Sequence, residues 1–176
     1  METILFLIAT ESDGSLHKSA LESVEAARSL AAALGGAKLL GGVIGADLSQ
    51  AAARLAGCGA EKVFGVAGEA FGQSRYATDA LAAEAIARAA GATVILAPAT
   101  SRLSRALPGV AQRLGGRIDT HCTAIETREG APAVIRWLYR QRLMATLSRA
   151  QRPWVITLEP AALPAWAGAP AGAAPA

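Results

Sequence analysis

The sequence predicts an α/β domain: three layers, α/β/α, built on a mainly parallel sheet, with an antiparallel strand extension towards the C-terminal side. Three observations carry this. Short apolar runs without alternation, such as Thr3–Ala9, read as parallel strands buried on both faces. Between them lie amphipathic segments that stop at glycine, the rhythm of βα repeats. After Cys122 no helical segment intervenes and four strand-like runs follow one another.

Each element has its own local reason. Glu11-Ser12-Asp13-Gly14 is a turn after the first strand, and Ser15 is placed to cap the first helix. In that helix Leu16, Ala20, Val24, Ala27, Ala31 and Leu34 recur at three- and four-residue steps, and Gly35-Gly36 closes it. Ala37–Ile44 is the second strand, Leu48–Leu55 a short helix, and Lys62–Val66 the third strand. A loop over Ala67–Ser74 precedes a helix over Ala77–Ala90, with Gly91 as its stop. Thr93–Ala97 is the fourth strand, ended by Pro98, and the next helix starts near Leu107-Pro108. An Asp-Thr-x-Cys-Thr-Ala turn then leads to strands over Thr123–Arg128, Ala133–Arg140, Leu143–Ser148 and Trp154–Leu158, read together as an antiparallel extension or a packed hairpin. Residues 1–159 thus form one domain, and 160–176, rich in Ala, Pro and Gly, is expected to be a disordered tail.

Composition narrows the function classes. At 176 residues and 52% apolar, the chain has enough for one domain's core, while only 5% aromatics implies alanine-packed helices on an aliphatic sheet. No apolar run approaches the ~20 residues that span a bilayer, and the N-terminus lacks the basic segment of a signal peptide, so a cytoplasmic location is expected. Cys58 and Cys122 have no metal or redox spacing and read as reduced core residues. Charge is uneven: residues 1–100 hold 7 Lys+Arg and 10 Asp+Glu, residues 101–176 hold 10 Arg and 4 Asp+Glu. Arginine forks suit an acidic partner surface, although a solvated arginine face would look the same in sequence.

Candidate sites are few. Gly41-Gly42-Val43-Ile44-Gly45 precedes a helix, where a glycine turn can bring backbone N–H groups to a phosphate. The spacing is not Gly-x-Gly-x-x-Gly and no P-loop lysine follows, so a plain βα turn is the simpler reading. The Gly65–Gly72 loop, with Gly68 at its centre, and the helix start at Thr100–Arg102 would share the same sheet edge, where open α/β sheets bind ligands. Gly41, Gly45, Gly68, Thr100 and Arg102 are therefore the candidate nucleotide contacts. Asp119, His121 and Cys122 are close in sequence, but adjacency does not make a triad, and His17 reads as a surface residue. Alternation puts Arg136 and Arg140 on one face of a strand, and Arg142 begins the next strand. With Tyr139 these form the candidate docking surface. Only Trp137 and Tyr139 interleave with the cations, so nucleic-acid binding is not expected.

Several of these segments, taken in order, resemble one known family. Ile4–Ala9 with Gly14-Ser15-Leu16, then Leu96-Ala97-Pro98-Ala99-Thr100, then Leu107-Pro108 with Val110-Ala111 are similar to the N-terminal domain of the electron-transfer flavoprotein alpha subunit. Asp119 with Cys122-Thr123-Ala124, and Arg136, Tyr139, Ala145 and Thr146, continue the likeness, which spans about residues 3–159. Departures fall at Leu103, Ser104, Gly109, Trp137, Gln141, Arg142 and Glu159. The resemblance implies a Rossmann-like, adenine-nucleotide alpha-hydrolase-like fold and a scaffold role in a heterodimer with a beta subunit. In that family a second domain holds FAD, and the sequence after Leu158 is too short to supply one, so FAD is not expected on this chain alone. AMP is expected, if anywhere, in the partner subunit. The implied function is a subunit or split fragment that contributes assembly to electron transfer, not catalysis. The alternatives are a stand-alone AMP- or ATP-binding module and a diverged paralogue that binds another protein or polyanion through its arginines.

Overall fold

The apolar runs become the middle of one eight-stranded sheet. The computed structural model describes residues 1–168. In chain order the elements are β1 (Thr3–Ala9), α1 (Lys18–Ala33), β2 (Lys38–Gly45), α2 (Ser49–Leu55), β3 (Lys62–Ala67), α3 (Tyr76–Ala90), β4 (Val94–Pro98), α4 (Ser101–Arg113), β5 (Arg117–Arg128), β6 (Ala131–Leu138), β7 (Leu143–Leu147) and β8 (Trp154–Leu158). A single 3-10 turn, Glu69–Phe71, precedes α3. The strand order is β3-β2-β1-β4-β8-β5-β6-β7. The first six are parallel and β5-β6-β7 are antiparallel, so the three-layer fold and its antiparallel extension are both as the sequence predicts.

Helices α1 and α2 cover one face and α3 and α4 the other. Ile4, Phe6 and Ile8 face Val24, Ala27 and Leu55, while Leu5 and Leu7 face Ala83 and Ile86. Alternate residues of β1 therefore serve two cores, which is why the strand shows no polar period. Alanine lets the helices lie close: Ala80 and Ala83 of α3 and Ala106 of α4 are fully buried.

Four expectations need correction. Trp154–Leu158 does not join the antiparallel group; it lies parallel between β4 and β5. All five of its residues are buried, as only a central position allows. The second concerns α4, which starts at Ser101 with Thr100 as its N-cap, so Pro108 lies inside the helix. Leu103, Ala106, Leu107, Val110 and Ala111 form one buried stripe across the proline, and that packing compensates for the backbone hydrogen bond Pro108 cannot donate. The cap of α1 is likewise His17, whose Nδ1 accepts from the Ser19 N–H, and not Ser15.

The fourth correction concerns the tail. Residues 160–168 turn back over α1, and Trp166 is only 6% exposed. The expected disorder fails there because Leu163 and Trp166 find an apolar surface on α1. Residues 169–176, the rest of that segment, lie outside the described residues.

Candidate functional site

The chain passes from β1 outward to β2 and β3, then returns to place β4 on the other side of β1. That reversal opens a crevice at the C-terminal ends of β1 and β4. A cavity of about 380 Å³ occupies it, lined by Thr10 after β1, His17 before α1, Ser74 before α3, and Thr100, Ser101 and Arg105 at the start of α4. The N-termini of α1 and α4 both reach this cavity, and Arg105 donates to the Ser74 hydroxyl at 2.5 Å across its rim. Glu11 also lines it, so the electrostatics are mixed.

Of the five residues expected to form a nucleotide edge, only Thr100 and Arg102 line this cavity. Gly41 and Gly42 are inside β2, not in a turn. A Cβ on Gly41 would overlap the Phe6 ring, and one on Gly42 would lie 2.6 Å from Ile86 Cγ2. These glycines make room for core side chains on the two faces of the sheet. Gly45 ends β2 and packs against Thr10, while Gly68 donates its N–H to the Gly45 carbonyl. Arg102 is committed elsewhere. Its guanidinium grips the buried Asp79 carboxylate at 2.7 and 3.1 Å and donates to the Phe71 carbonyl at 2.8 Å, tying α4 to α3.

The arginines expected on one face are split by the backbone. β6 ends at Leu138, and Tyr139, Arg140 and Gln141 have φ of 49°, 56° and 64°. This left-handed run makes the hairpin turn, so Arg140 leaves the strand's alternation. The Arg142 N–H donates to the Leu138 carbonyl at 3.1 Å and closes the turn. Tyr139, Arg140 and Arg142 are exposed at its tip. Arg136 stays on the strand, half-buried and 3.5 Å from Asp119 Oδ1.

Asp119 organises the base of this extension. Its buried carboxylate accepts from Arg149 at 2.8 and 2.9 Å and from the Trp154 indole at 2.9 Å. Burial alone raises its pKa, but those hydrogen bonds and the charges of Arg149 and Arg136 outweigh it and hold the group below the ordinary carboxylate range. The adjacent register shift sets His121 at φ 55° and brings its Nδ1 within 2.5 Å of Glu159 Oε1. Burial pushes the Cys122 thiol up to about 12, which leaves it without the thiolate a nucleophile needs. These three residues thus serve structure and form no triad. Among the described residues there is no cluster of three or more metal-ligating side chains, and no helix is long and apolar enough to cross a membrane.

One surface was not singled out from sequence. Trp137 pairs with Met144, and Ile135 with Thr146, across β6 and β7. Neither pair belongs to the core on either side of the sheet. Trp137 is 44% and Met144 62% exposed, side by side on a sheet face that helices cover elsewhere. Trp137 alternating with inward residues was the available signal, but only the hairpin register shows that Met144 stands beside it.

The family comparison agrees with this architecture. No curated protein matches the sequence. A family model described as the electron transfer flavoprotein domain matches residues 5–176, nearly the whole chain and including the segment that turns back over α1. The chain belongs to the electron transfer flavoprotein domain family.

Proposed function

We propose that this chain is an alpha-type subunit, or one part of a split subunit, of an electron-transfer flavoprotein, and that its work is assembly. It docks a beta-type partner, and a separately folded domain carries the FAD. The observation behind this reading is the uncovered pair Trp137 and Met144, with Leu143 and Tyr139 also exposed on the same hairpin. Contiguous exposed apolar side chains with a polar rim mark interaction surfaces, and Trp, Tyr, Met and Arg are enriched in them. Arg140 and Arg142 supply that rim and favour an acidic partner. Arg136 supports the surface from within, through Asp119.

The residues expected to contact a nucleotide offer a flavin dinucleotide neither an open glycine turn nor a free arginine. Gly41 and Gly42 are closed off by Phe6 and Ile86, and Arg102 is occupied by Asp79. We therefore assign the flavin to another domain and route no electron-transfer step through this one.

The test is co-expression with a beta-type electron-transfer flavoprotein subunit. Replacing Trp137 and Met144 together with serine should leave the chain folded and abolish co-purification at any salt. Replacing Arg140 and Arg142 with serine should weaken recovery at low salt and match wild type at high salt, as rim charges do. Undiminished recovery of the Trp137→Ser/Met144→Ser complex would remove the hairpin from the interface.

A second reading has its own observation, the cavity between β1 and β4. Its volume lies within the range of small-ligand sites, and AMP or ATP is the ligand class such an edge suits. A ligand at 100 times its dissociation constant stabilises by about 2.7 kcal/mol, so a saturable rise in Tm would support it. No shift with millimolar AMP, ADP or ATP would set it aside.

A further inference from the structure

Among the described residues the last strand ends at Leu158, yet residues 160–168 are held tightly against α1 without forming helix or strand. Trp166 is buried there with Leu163 beside it, and the Arg28 guanidinium stacks on the indole with its carbon 4.2 Å from the ring centre. The main chain is gripped as well. The Trp166 N–H donates to the Leu21 carbonyl at 3.0 Å, and the Ala161 N–H donates to Glu22 Oε2 at 2.8 Å. Arg54 of α2 donates to the carbonyls of Trp166 at 3.1 Å and Ala167 at 3.0 Å. Gly168 has φ +107°, and a Cβ there would stand 2.7 Å from Arg54 Nη1, so a side chain would push the guanidinium off the backbone.

A large anchor in a pocket together with captured backbone groups is how domains hold extended peptides. Two features show that the fit is incomplete. The Trp166 indole N–H is buried with no acceptor, and a cavity of about 310 Å³ remains between Glu25, Ala26 and Ser29 of α1 and the Leu163–Ala167 stretch. A segment held by a few anchors beside a void releases more easily than a strand of the sheet.

From this we infer that the groove formed by α1 and α2 is a docking site for an extended, tryptophan-anchored peptide, with Leu163–Trp166 as its resident and exchangeable occupant. The site is independent of the hairpin and of the flavoprotein reading.

The experiment uses a fluorescein-labelled peptide of residues 158–168, titrated into the full chain while anisotropy is read. The peptide should bind the Trp166→Ala chain saturably. It should bind wild type about tenfold or more weaker, because the resident segment must leave first. Binding should vanish when Arg54→Ala is added to Trp166→Ala, and when the peptide's own tryptophan is replaced by alanine. Absence of saturable binding to a Trp166→Ala chain of native circular dichroism would overturn the inference. Equal binding to the single and double variants would also overturn it. If Trp166→Ala does not fold, hydrogen exchange on wild type decides. The Trp166 amide should then exchange about a hundredfold or more faster than the amides of β1. Equal protection would make the segment part of the core and not an occupant.

Discussion

Replacing Asp119 with alanine removes the one anion from a site that holds two guanidinium groups. Asp119 is 3% exposed and accepts two bonds from Arg149 and one from the Trp154 indole, with Arg136 at 3.5 Å. Without it, the buried indole N–H loses its acceptor and the half-buried Arg136 its counter-ion. Removing one partner of a buried pair costs about 3–5 kcal/mol. The Arg149 side chain is 41% exposed, so water takes over much of its share and the lower end, about 3 kcal/mol, applies. At about 2–4 °C per kcal/mol for a chain of this size, Tm should fall by roughly 6–12 °C in calorimetry at pH 7. Asp119→Asn keeps an oxygen for the indole and should cost less. It also isolates the charge, because asparagine does not titrate. The pKa of Asp119 is depressed in the fold, so its stabilising contribution is complete above the unfolded value, near 3.9, and is lost as pH falls through the folded value. The gap in Tm between wild type and Asp119→Asn should therefore be full at pH 7 and close below about pH 4. A Tm for Asp119→Ala within about 2 °C of wild type at pH 7 would contradict the magnitude. A gap that stays constant down to about pH 3 would contradict the charge argument.

The other expectations follow from single contacts. Arg102→Ala strands the buried Asp79 carboxylate between α3 and α4 and should cost about 3–5 kcal/mol in chemical denaturation, with Arg102→Lys recovering only part because one ammonium cannot replace the fork. Gly42→Val forces side-chain atoms into Ile86 and Leu7 and should destabilise by at least ~1–3 kcal/mol, seen as a lower urea midpoint with an unchanged far-ultraviolet spectrum. Cys122, with its thiol pushed up to about 12, should resist a thiol reagent at pH 8 in the native chain and be labelled only in denaturant, as read by mass spectrometry.

The parallel part of the fold was legible because burial on both faces leaves so direct a trace. Thr3–Ala9, Lys62–Val66 and the helix ending at Gly91 fall within a residue or two of their observed bounds. Strand order was less legible. Trp154–Leu158 follows two antiparallel strands in sequence, and only its unbroken burial tells that it inserts beside β4. The glycines misled for a physical reason. Gly41 and Gly42 look like a phosphate turn, but a strand crossed by Phe6 on one face and Ile86 on the other needs the same residues for space. The arginine face failed because Tyr139–Gln141 take left-handed backbone without a glycine among them, which no alternation pattern signals. The tail failed because composition counts residues and not anchors. In nine described residues of mostly Ala and Pro, two apolar side chains and two arginines on the facing helices were enough to fix the path.

The hairpin surface and the α1 groove lie on opposite sides of the molecule, and strand parity requires it. Val134 of β6 and Leu147 of β7 pack into the core beneath α1. Their strand neighbours Ile135, Trp137, Thr146 and Met144 must then point the other way, because Val134 pairs with Leu147 and Trp137 with Met144. Trp166 joins that same core from the α1 side and donates its N–H to the Leu21 carbonyl. A partner seated on the hairpin face therefore leaves the α1 groove open, and a peptide in the groove leaves Trp137 and Met144 uncovered. The polar cavity between β1 and β4 opens at neither surface, but at the C-terminal edge of the central strands. The parallel sheet thus acts as a rigid spacer, with β1, β4 and β8 at its centre committed to packing. What can bind lies off that centre: on the bare face of the hairpin, on the outside of α1 and at the C-terminal strand edge.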